Sequence, residues 1–165
     1  MHARRGLRYT VIELAVKVLA SYLLGSVVGS LVVGKVRGGV DIRTLGSGNA
    51  GGTNALRTQG KAFALWVMLI DVAKGWLAAY VIARLPWPAA GAADAALREW
   101  LPVACGAAAI IGHVYPAWHG FRGGKGAATL MGALLAVAPL LLAAVIGTWP
   151  IWRSEERRVG KECRS

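Results

Sequence analysis

The chain has 165 residues, a formal net charge of +11 and 56% hydrophobic residues. Its basic residues lie between apolar runs and are not gathered on one polar domain. This distribution is typical of a membrane protein whose loops meet anionic lipid or an anionic substrate, and it argues against nucleic-acid binding. The two cysteines, Cys105 and Cys163, indicate neither a disulfide framework nor a metal site, and we expect neither a metal nor a cofactor.

Four apolar segments predict an all-α, polytopic membrane protein with about four transmembrane helices. They run from about residue 11 to 33, 62 to 85, 100 to 118 and 127 to 149. Each is close to the ~20 residues that cross a bilayer core, and a spanning segment must be helical because lipid offers its backbone no hydrogen bonds. The first segment follows basic residues, as in a signal peptide. Its apolar run is too long for one and has no clear cleavage site, so we interpret it as a retained helix.

A few residues inside these segments predict contacts between helices. Gly25 and Gly29 have the spacing of closely packed membrane helices, and Pro139 predicts a kink in the fourth helix. Asp71 and Lys74 are three positions apart, so their side chains can pair. Ionisable groups at this depth are costly and usually functional. The sequence leaves open whether this pair orients the first loop as a structural element or takes part in catalysis.

The first loop, "GSGNAGGTNALR", spans residues 46–57. Glycines let successive backbone N–H groups converge on an anion, the loop precedes a helix, and the guanidinium of its arginine suits phosphate. The alternative interpretation is a flexible connector. The predicted phosphate-binding residues here are Ser47, Gly48, Asn49, Gly51, Gly52, Thr53, Asn54 and Arg57.

The second loop lies in "GHVYPAWHGFRGGKGAAT", residues 112–129. It is not a Walker A loop, because a glycine follows the lysine where Ser or Thr would bind magnesium. It again leads into a helix, so a phosphate site and a positive-inside anchor are the two interpretations. His113 is either a base or phosphate donor, or a capping residue, whereas His119 is predicted to be a loop residue. The predicted binding residues are Arg122, Gly123, Gly124, Lys125 and Gly126.

The two loops, together with "IDVAKG" at residues 70–75, resemble the acyl-phosphate-dependent glycerol-3-phosphate acyltransferases of bacterial membranes. The resemblance runs from about residue 23 to 135. It implies transfer of an acyl group from acyl phosphate to the first hydroxyl of glycerol 3-phosphate, which yields lysophosphatidic acid and phosphate. We assign Ser47, His113 and Lys125 as candidate catalytic residues. Either the acceptor's own phosphate or His113 takes the hydroxyl proton, and the cationic loops stabilise the leaving phosphate.

The resemblance also predicts partners and location. The partners would be the lipid bilayer, both phosphorylated substrates and neighbouring enzymes of phospholipid synthesis. The location would be the bacterial inner membrane, with the basic loops 34–61 and 119–125 facing the cytoplasm. Counting the basic residues of the segment 153–165 would reverse that orientation.

Members of the family carry further helices and a third motif, which this chain lacks, so we expect a C-terminally truncated member. Residues 1–152 would form the membrane domain, and "RSEERRVGKECRS" at 153–165 is either a polar tail or a foreign sequence. A membrane transporter or channel for a phosphorylated or anionic solute is the alternative function, because polar loops and a buried Asp71/Lys74 pair would serve it too.

Overall fold

The structure, a computed structural model, describes residues 2–87 and 98–148, and every regular element in these residues is helical, as predicted. The α-helices in this part of the chain are α1 (His2–Gly25), α2 (Gly29–Val36), α3 (Gly52–Gln59), α4 (Lys61–Trp76), α5 (Leu101–Val114), α6 (Ala127–Val137) and α7 (Pro139–Thr148). A π-helical segment, Leu77–Ile82, extends α4, and the 3-10 turns Ile42–Thr44 and Ala117–His119 lie in the two loops.

Within the described residues, the helices long and apolar enough to cross a membrane are Lys61–Ile82 and Leu101–His119. A third span results if α1 and α2, which meet at a bend of 46°, are counted together. The predicted fourth span is not one continuous helix. It is divided between α6 and α7, because Pro139 has no backbone N–H with which to continue α6. The kink expected at Pro139 is therefore a full break between two short apolar helices.

The first predicted span, from 11 to 33, is likewise not one continuous helix, because α1 ends at Gly25 and α2 begins at Gly29. Side chains of α4 satisfy the backbone groups that this break exposes. The ammonium of Lys74 donates to the carbonyl oxygens of Gly25 at 2.9 Å and Val27 at 2.6 Å. The carboxylate of Asp71 accepts a hydrogen bond of 3.1 Å from the Gly29 N–H. Buried charges from another helix thus stabilise the bend.

Glycines set the distance between the helices that carry the loops. Gly25 of α1 lies so close to Ala109 of α5 that a β-carbon would overlap the Ala109 backbone. Gly132 of α6 is packed in the same way against the carbonyl oxygen of Val72 in α4. The close packing predicted for Gly25 is confirmed, although the helix in which it was predicted ends at this residue.

A second buried ionic cluster lies at the end of the α4 span that is remote from the loops. Lys17 pairs with Glu13 at 2.6 Å and donates to the carbonyl oxygens of Ala83 and Leu85. Arg98 donates to the second oxygen of Glu13 at 3.0 Å. The cluster joins α1 to the end of the Lys61–Ile82 span and to the residues just before α5, so it fixes how these helices are assembled.

Candidate functional site

The first glycine-rich loop is shorter than the sequence predicted. The predicted loop 34–61 contains the 3-10 turn Ile42–Thr44 and helix α3. As a result, Thr53, Asn54 and Arg57 lie on a helix and not in a loop. Helix α3 forms because the glycines stop at its first residue and helix-compatible residues follow.

Asn54 stabilises the shape of this loop from within. Its side chain is buried, and its Oδ1 accepts a hydrogen bond of 3.0 Å from the Ser47 N–H. Its Nδ2 donates to the carbonyl oxygens of Ile42 at 2.9 Å and Leu45 at 3.0 Å. Gly46 contributes a φ of +56°, which favours glycine at the start of the turn. Asn54 is predicted to bind a ligand, but in the structure its side-chain oxygen and both N–H groups are hydrogen-bonded to the backbone of the loop itself.

The second loop folds back onto the end of α5. The Gly124 N–H donates to the carbonyl oxygen of His113 at 3.2 Å, and the Gly123 N–H donates to that of Val114 at 3.1 Å. A β-carbon on Gly124 would overlap Nε2 of His113. Gly126, with a φ of +76°, then turns the chain into α6. Glycine is needed here because the loop backbone lies directly on the histidine.

One arginine joins the two loops. Nη1 of Arg43 donates to the carbonyl oxygens of His119 at 3.0 Å and Arg122 at 3.3 Å. The guanidinium is held by the carboxylate of Asp41, with Nη2 to Oδ2 at 2.7 Å. Hydrogen bonding between their side chains lowers the pKa of Asp41 and raises that of Arg43, so the pair is ionised at neutral pH. The loops 34–61 and 119–125 therefore lie at the same end of the molecule.

The two loops enclose a large polar cleft of about 850 Å³. Both loops contribute backbone and side-chain donors to it, and Arg43 and Arg122 bring positive charge. The predicted binding residues that line it are Ser47, Gly48, Asn49, Arg122, Gly123 and Gly124. Such a surface suits an anion with several oxygen acceptors.

A second, smaller cavity of about 110 Å³ lies where the two loops meet α4 and α5. Asp71 and His113 form part of its wall. The other predicted site residues that line it are Asn49, Gly51, Gly52, Thr53, Lys125 and Gly126. Arg57 lines neither cavity, and its side chain is exposed on α3.

The predicted pair of Asp71 and Lys74 is confirmed, and the structure adds His113 to it. Nζ of Lys74 lies 2.9 Å from Oδ1 of Asp71 and 2.8 Å from Nδ1 of His113. The third edge, from His113 Nδ1 to Asp71 Oδ1, is 3.4 Å. All three side chains are at most 3% exposed. This buried triad links the bend between α1 and α2 to the wall of the small cavity.

An apolar groove of about 530 Å³ lies between α6 and α7. Ala127 lines both this groove and the small polar cavity, so the two adjoin. The other residues of the groove are Leu130, Met131, Leu134, Leu142, Val145 and Ile146. An amphipathic ligand would find polar and apolar surfaces side by side here.

Sequence reasoning missed Asp41 and Arg43, and it assigned no role in the site to His119. The signal was present, since an acid and an arginine two positions apart precede the first loop. That pattern is short and common, so only the contacts with the second loop identify it as part of the site.

In the part of the chain that the structure describes, no group of three His, Cys, Asp or Glu side chains could hold a metal ion.

Comparison with known proteins agrees with this geometry. A family profile described as "Glycerol-3-phosphate acyltransferase" matches residues 15–157. Glycerol-3-phosphate acyltransferase of Paramagnetospirillum magneticum is 47% identical over 138 residues, which are 84% of this chain and 63% of that protein. The protein of the same name from Cupriavidus pinatubonensis is 45% identical over 133 residues, 81% of this chain and 63% of the relative. The chain thus spans 63% of the length of each of these two relatives.

Two solved structures are also similar, and both are crystal structures of PlsY (YgiH), an integral membrane glycerol 3-phosphate acyltransferase. The glycerol 3-phosphate form has a TM-score of 0.68 and 35% identity, and the similarity covers 82% of this chain and 63% of that one. The lysophosphatidic acid form has a TM-score of 0.66 and 34% identity, with 82% and 62% covered. From the matched residues and the shared fold, the chain belongs to the glycerol-3-phosphate acyltransferase family.

Proposed function

We propose that the chain forms the site in which an acyl group passes from acyl phosphate to glycerol 3-phosphate, giving 1-acylglycerol 3-phosphate and phosphate. The observation that carries the proposal is the pair of glycine loops, which enclose two polar cavities beside an apolar groove. Two phosphorylated substrates need two anion sites, and an acyl chain needs an apolar surface. Relatives with this name and the ligand forms of the similar structures support the same reaction.

In this reaction, the primary hydroxyl oxygen of glycerol 3-phosphate attacks the carbonyl carbon of the acyl phosphate. An ester C–O bond forms, the bond from the acyl carbon to the phosphate oxygen breaks, and the hydroxyl proton ends on a phosphate oxygen. Negative charge moves onto the leaving phosphate. Arg122 and Lys125, with the backbone N–H groups around them, would stabilise that charge. Fixing two bound substrates side by side supplies much of the remaining acceleration.

The proposed roles of the site residues follow from their positions. Ser47 is exposed on the wall of the large cleft, where its hydroxyl can hydrogen-bond a substrate. Lys125 and His113 line the small cavity, where a phosphate would meet both. Arg57 remains a proposed substrate-binding residue that acts from the exposed side of α3. Asp71 and Lys74 would support His113 and the helix bend, not the substrate directly.

We further propose a multi-pass location in the bacterial inner membrane with both loops facing the cytoplasm. The joined loops are rich in Lys and Arg, which favours the cytoplasmic side. Membrane lipid and neighbouring phospholipid-synthesis enzymes would be the partners. Cysteines introduced at exposed positions 38 and 120 should resist an impermeant thiol reagent in intact cells and react after lysis. Labelling of either site in intact cells would contradict the orientation.

The domain division at residue 152 stays a proposal, because residues 149–165 lie outside the described part of the chain. The function is tested on the chain itself and on a chimera in which the C-terminal portion of the Paramagnetospirillum relative follows residue 148. Both receive acyl phosphate and glycerol 3-phosphate in detergent, and phosphate and 1-acylglycerol 3-phosphate are measured. Product formation that needs both substrates and is lost in Arg122→Met and Lys125→Met supports the proposal.

The absence of product from both proteins would overturn the proposal. Movement of glycerol 3-phosphate into proteoliposomes without product would favour the transporter alternative. A control variant, Lys61→Met, removes an exposed lysine that lines neither the large cleft nor the small cavity. It should leave product formation unchanged.

A further inference from the structure

The buried triad of Asp71, Lys74 and His113 constrains the protonation of the histidine ring. Nδ1 of His113 faces Lys74 Nζ at 2.8 Å and Asp71 Oδ1 at 3.4 Å. The ring is 3% exposed, so water does not compete freely for Nδ1. Which of the two ring nitrogens carries the proton is therefore set by these two partners.

Lys74 can only donate to this contact. A lysine ammonium has three N–H donors and no acceptor. Two of its hydrogens satisfy the carbonyl oxygens of Gly25 and Val27, which have lost their helical partners at the bend. The third is available to Nδ1 of His113 at 2.8 Å, and the carboxylate of Asp71 balances the charge at 2.9 Å. Only one proton can lie between two nitrogens 2.8 Å apart, and the lysine ammonium always supplies one, so Nδ1 is the acceptor.

The consequence appears at the other edge of the ring. If Nδ1 accepts a hydrogen bond, the proton of the neutral ring is on Nε2. Nε2 lies against Gly124, and no hydrogen-bond partner for it is found among the described residues. His113 lines the small cavity together with Lys125.

We propose that Lys74 locks His113 in the Nε2-protonated tautomer, so that His113 presents an N–H donor, and not a basic nitrogen, to a phosphate oxygen in the small cavity. The identity of that ligand rests on the proposed function, whereas the tautomer does not. An N–H donor cannot remove the hydroxyl proton of glycerol 3-phosphate. Lys74 is then a positioning residue, because it acts on the substrate only through His113.

The tautomer is read directly by ¹⁵N NMR on detergent-solubilised, ¹⁵N-histidine-labelled chain near neutral pH, because protonated and unprotonated ring nitrogens have well-separated shifts. The His113→Gln spectrum identifies the signals of His113 among those of His2 and His119. We expect an unprotonated Nδ1 and a protonated Nε2 in the wild-type chain. A protonated Nδ1, in either the other tautomer or the imidazolium, overturns the proposal by itself.

A lysine variant tests the cause. Lys74→Met removes the donor and should move the proton of His113 to Nδ1, where Asp71 accepts it. Lys61→Met removes an exposed lysine of the same helix and should leave the His113 signals unchanged. An unaltered tautomer in folded Lys74→Met would contradict the role of Lys74. If that variant does not fold, Lys74→Arg, which keeps a charged donor, should preserve the wild-type tautomer, and a shift to Nδ1–H there would contradict it equally.

Kinetics in whichever protein shows turnover test the role of Nε2. His113→Ala should lower kcat about 100-fold, a loss typical of one removed donor to developing charge. His113→Gln places an amide N–H near the position of Nε2 and should recover most of that loss, whereas His113→Asn reaches only the position of Nδ1 and should not.

The pH dependence of kcat in His113→Gln should match the wild type. Loss of a pH-dependent limb together with no recovery by glutamine would show that His113 is a base. Absence of turnover in every protein would count against the proposed function and leave the NMR result standing.

Discussion

Nη1 of Arg43 lies 3.0 Å from the carbonyl oxygen of His119, which is 76 positions further along the chain. Through this hydrogen bond, a side chain that precedes the first glycine loop holds the backbone of the second. Asp41 orients the guanidinium from the other side. The width of the large cleft therefore depends on one ion pair at its edge, and not only on the packing of the helices below it.

Replacing Arg43 with Met should loosen the cleft. Both hydrogen bonds to the second loop are lost, together with a positive charge that lines the cleft. We expect the Kd for glycerol 3-phosphate, measured by isothermal titration calorimetry, to rise about tenfold, which corresponds to about 1.4 kcal/mol. Arg37→Met is the matched control, because Arg37 is exposed and outside the cleft. Equal affinities for the two variants would show that Arg43 does not shape the site.

The ion pair of Asp41 and Arg43 should also make stability depend on pH in the acid range. Since hydrogen bonding to Arg43 lowers the folded-state pKa of Asp41, its stabilisation is present above the unfolded pKa of about 3.9. It is lost as the pH falls through the folded pKa. The carboxylate is 38% exposed, so screening limits the contribution to about 1 kcal/mol or less.

Asp41→Asn isolates this contribution, because asparagine keeps an oxygen that can accept the Arg43 N–H, whereas the charge is lost. The midpoint of thermal unfolding in detergent should be lower for the variant at pH 7. The difference between the two proteins should shrink as the pH falls below the unfolded pKa of Asp41, about 3.9, since their other carboxylates titrate alike. A difference that does not shrink in this range would place the stabilisation elsewhere.

Much of the site could be predicted from sequence because glycine and charge are local signals. The two loops and the pairing of Asp71 with Lys74 follow from spacing alone. Most of the predicted binding residues do line the two cavities. Proximity to His113 could not be predicted, since it depends on α4 and α5 packing side by side, 39 positions apart along the chain.

The errors also have a physical cause. Hydropathy predicted one helix from 11 to 33, but it does not register a break whose carbonyl groups are satisfied by Lys74 from another helix. The same limit applies to Asn54, which has the residue type of a ligand and the contacts of a structural support. Residue type indicates which hydrogen bonds are possible, and tertiary contacts decide which are made.

Asn54→Asp should separate loop support from ligand binding. The change keeps the oxygen that accepts from the Ser47 N–H but removes the donor to the carbonyls of Ile42 and Leu45. A buried carboxylate against two carbonyl oxygens is repulsive, and unfolding free energy should fall by about 1–3 kcal/mol. Chemical denaturation in detergent measures the loss. Asn54→Asp with wild-type stability and weakened glycerol 3-phosphate binding would instead make Asn54 a direct ligand-binding residue.

Two glycine-to-alanine changes should have different effects because the β-carbons meet different neighbours. In Gly132→Ala, the new methyl group overlaps the Val72 carbonyl of the facing helix, so the helices must separate. We expect a loss of about 1–3 kcal/mol in unfolding free energy.

In Gly124→Ala, the overlap is with Nε2 of His113, beside the small cavity. The loop can shift there, at the expense of the cavity, so phosphate affinity should fall more than stability. Gly147→Ala, whose β-carbon meets no atom within 4 Å, is the control for both. Thermal unfolding of all three variants measures the loss of stability, and phosphate titration of the same proteins measures the loss of affinity. If Gly124→Ala lost as much stability as Gly132→Ala and bound phosphate normally, the loop would be a structural element and not a wall of the site.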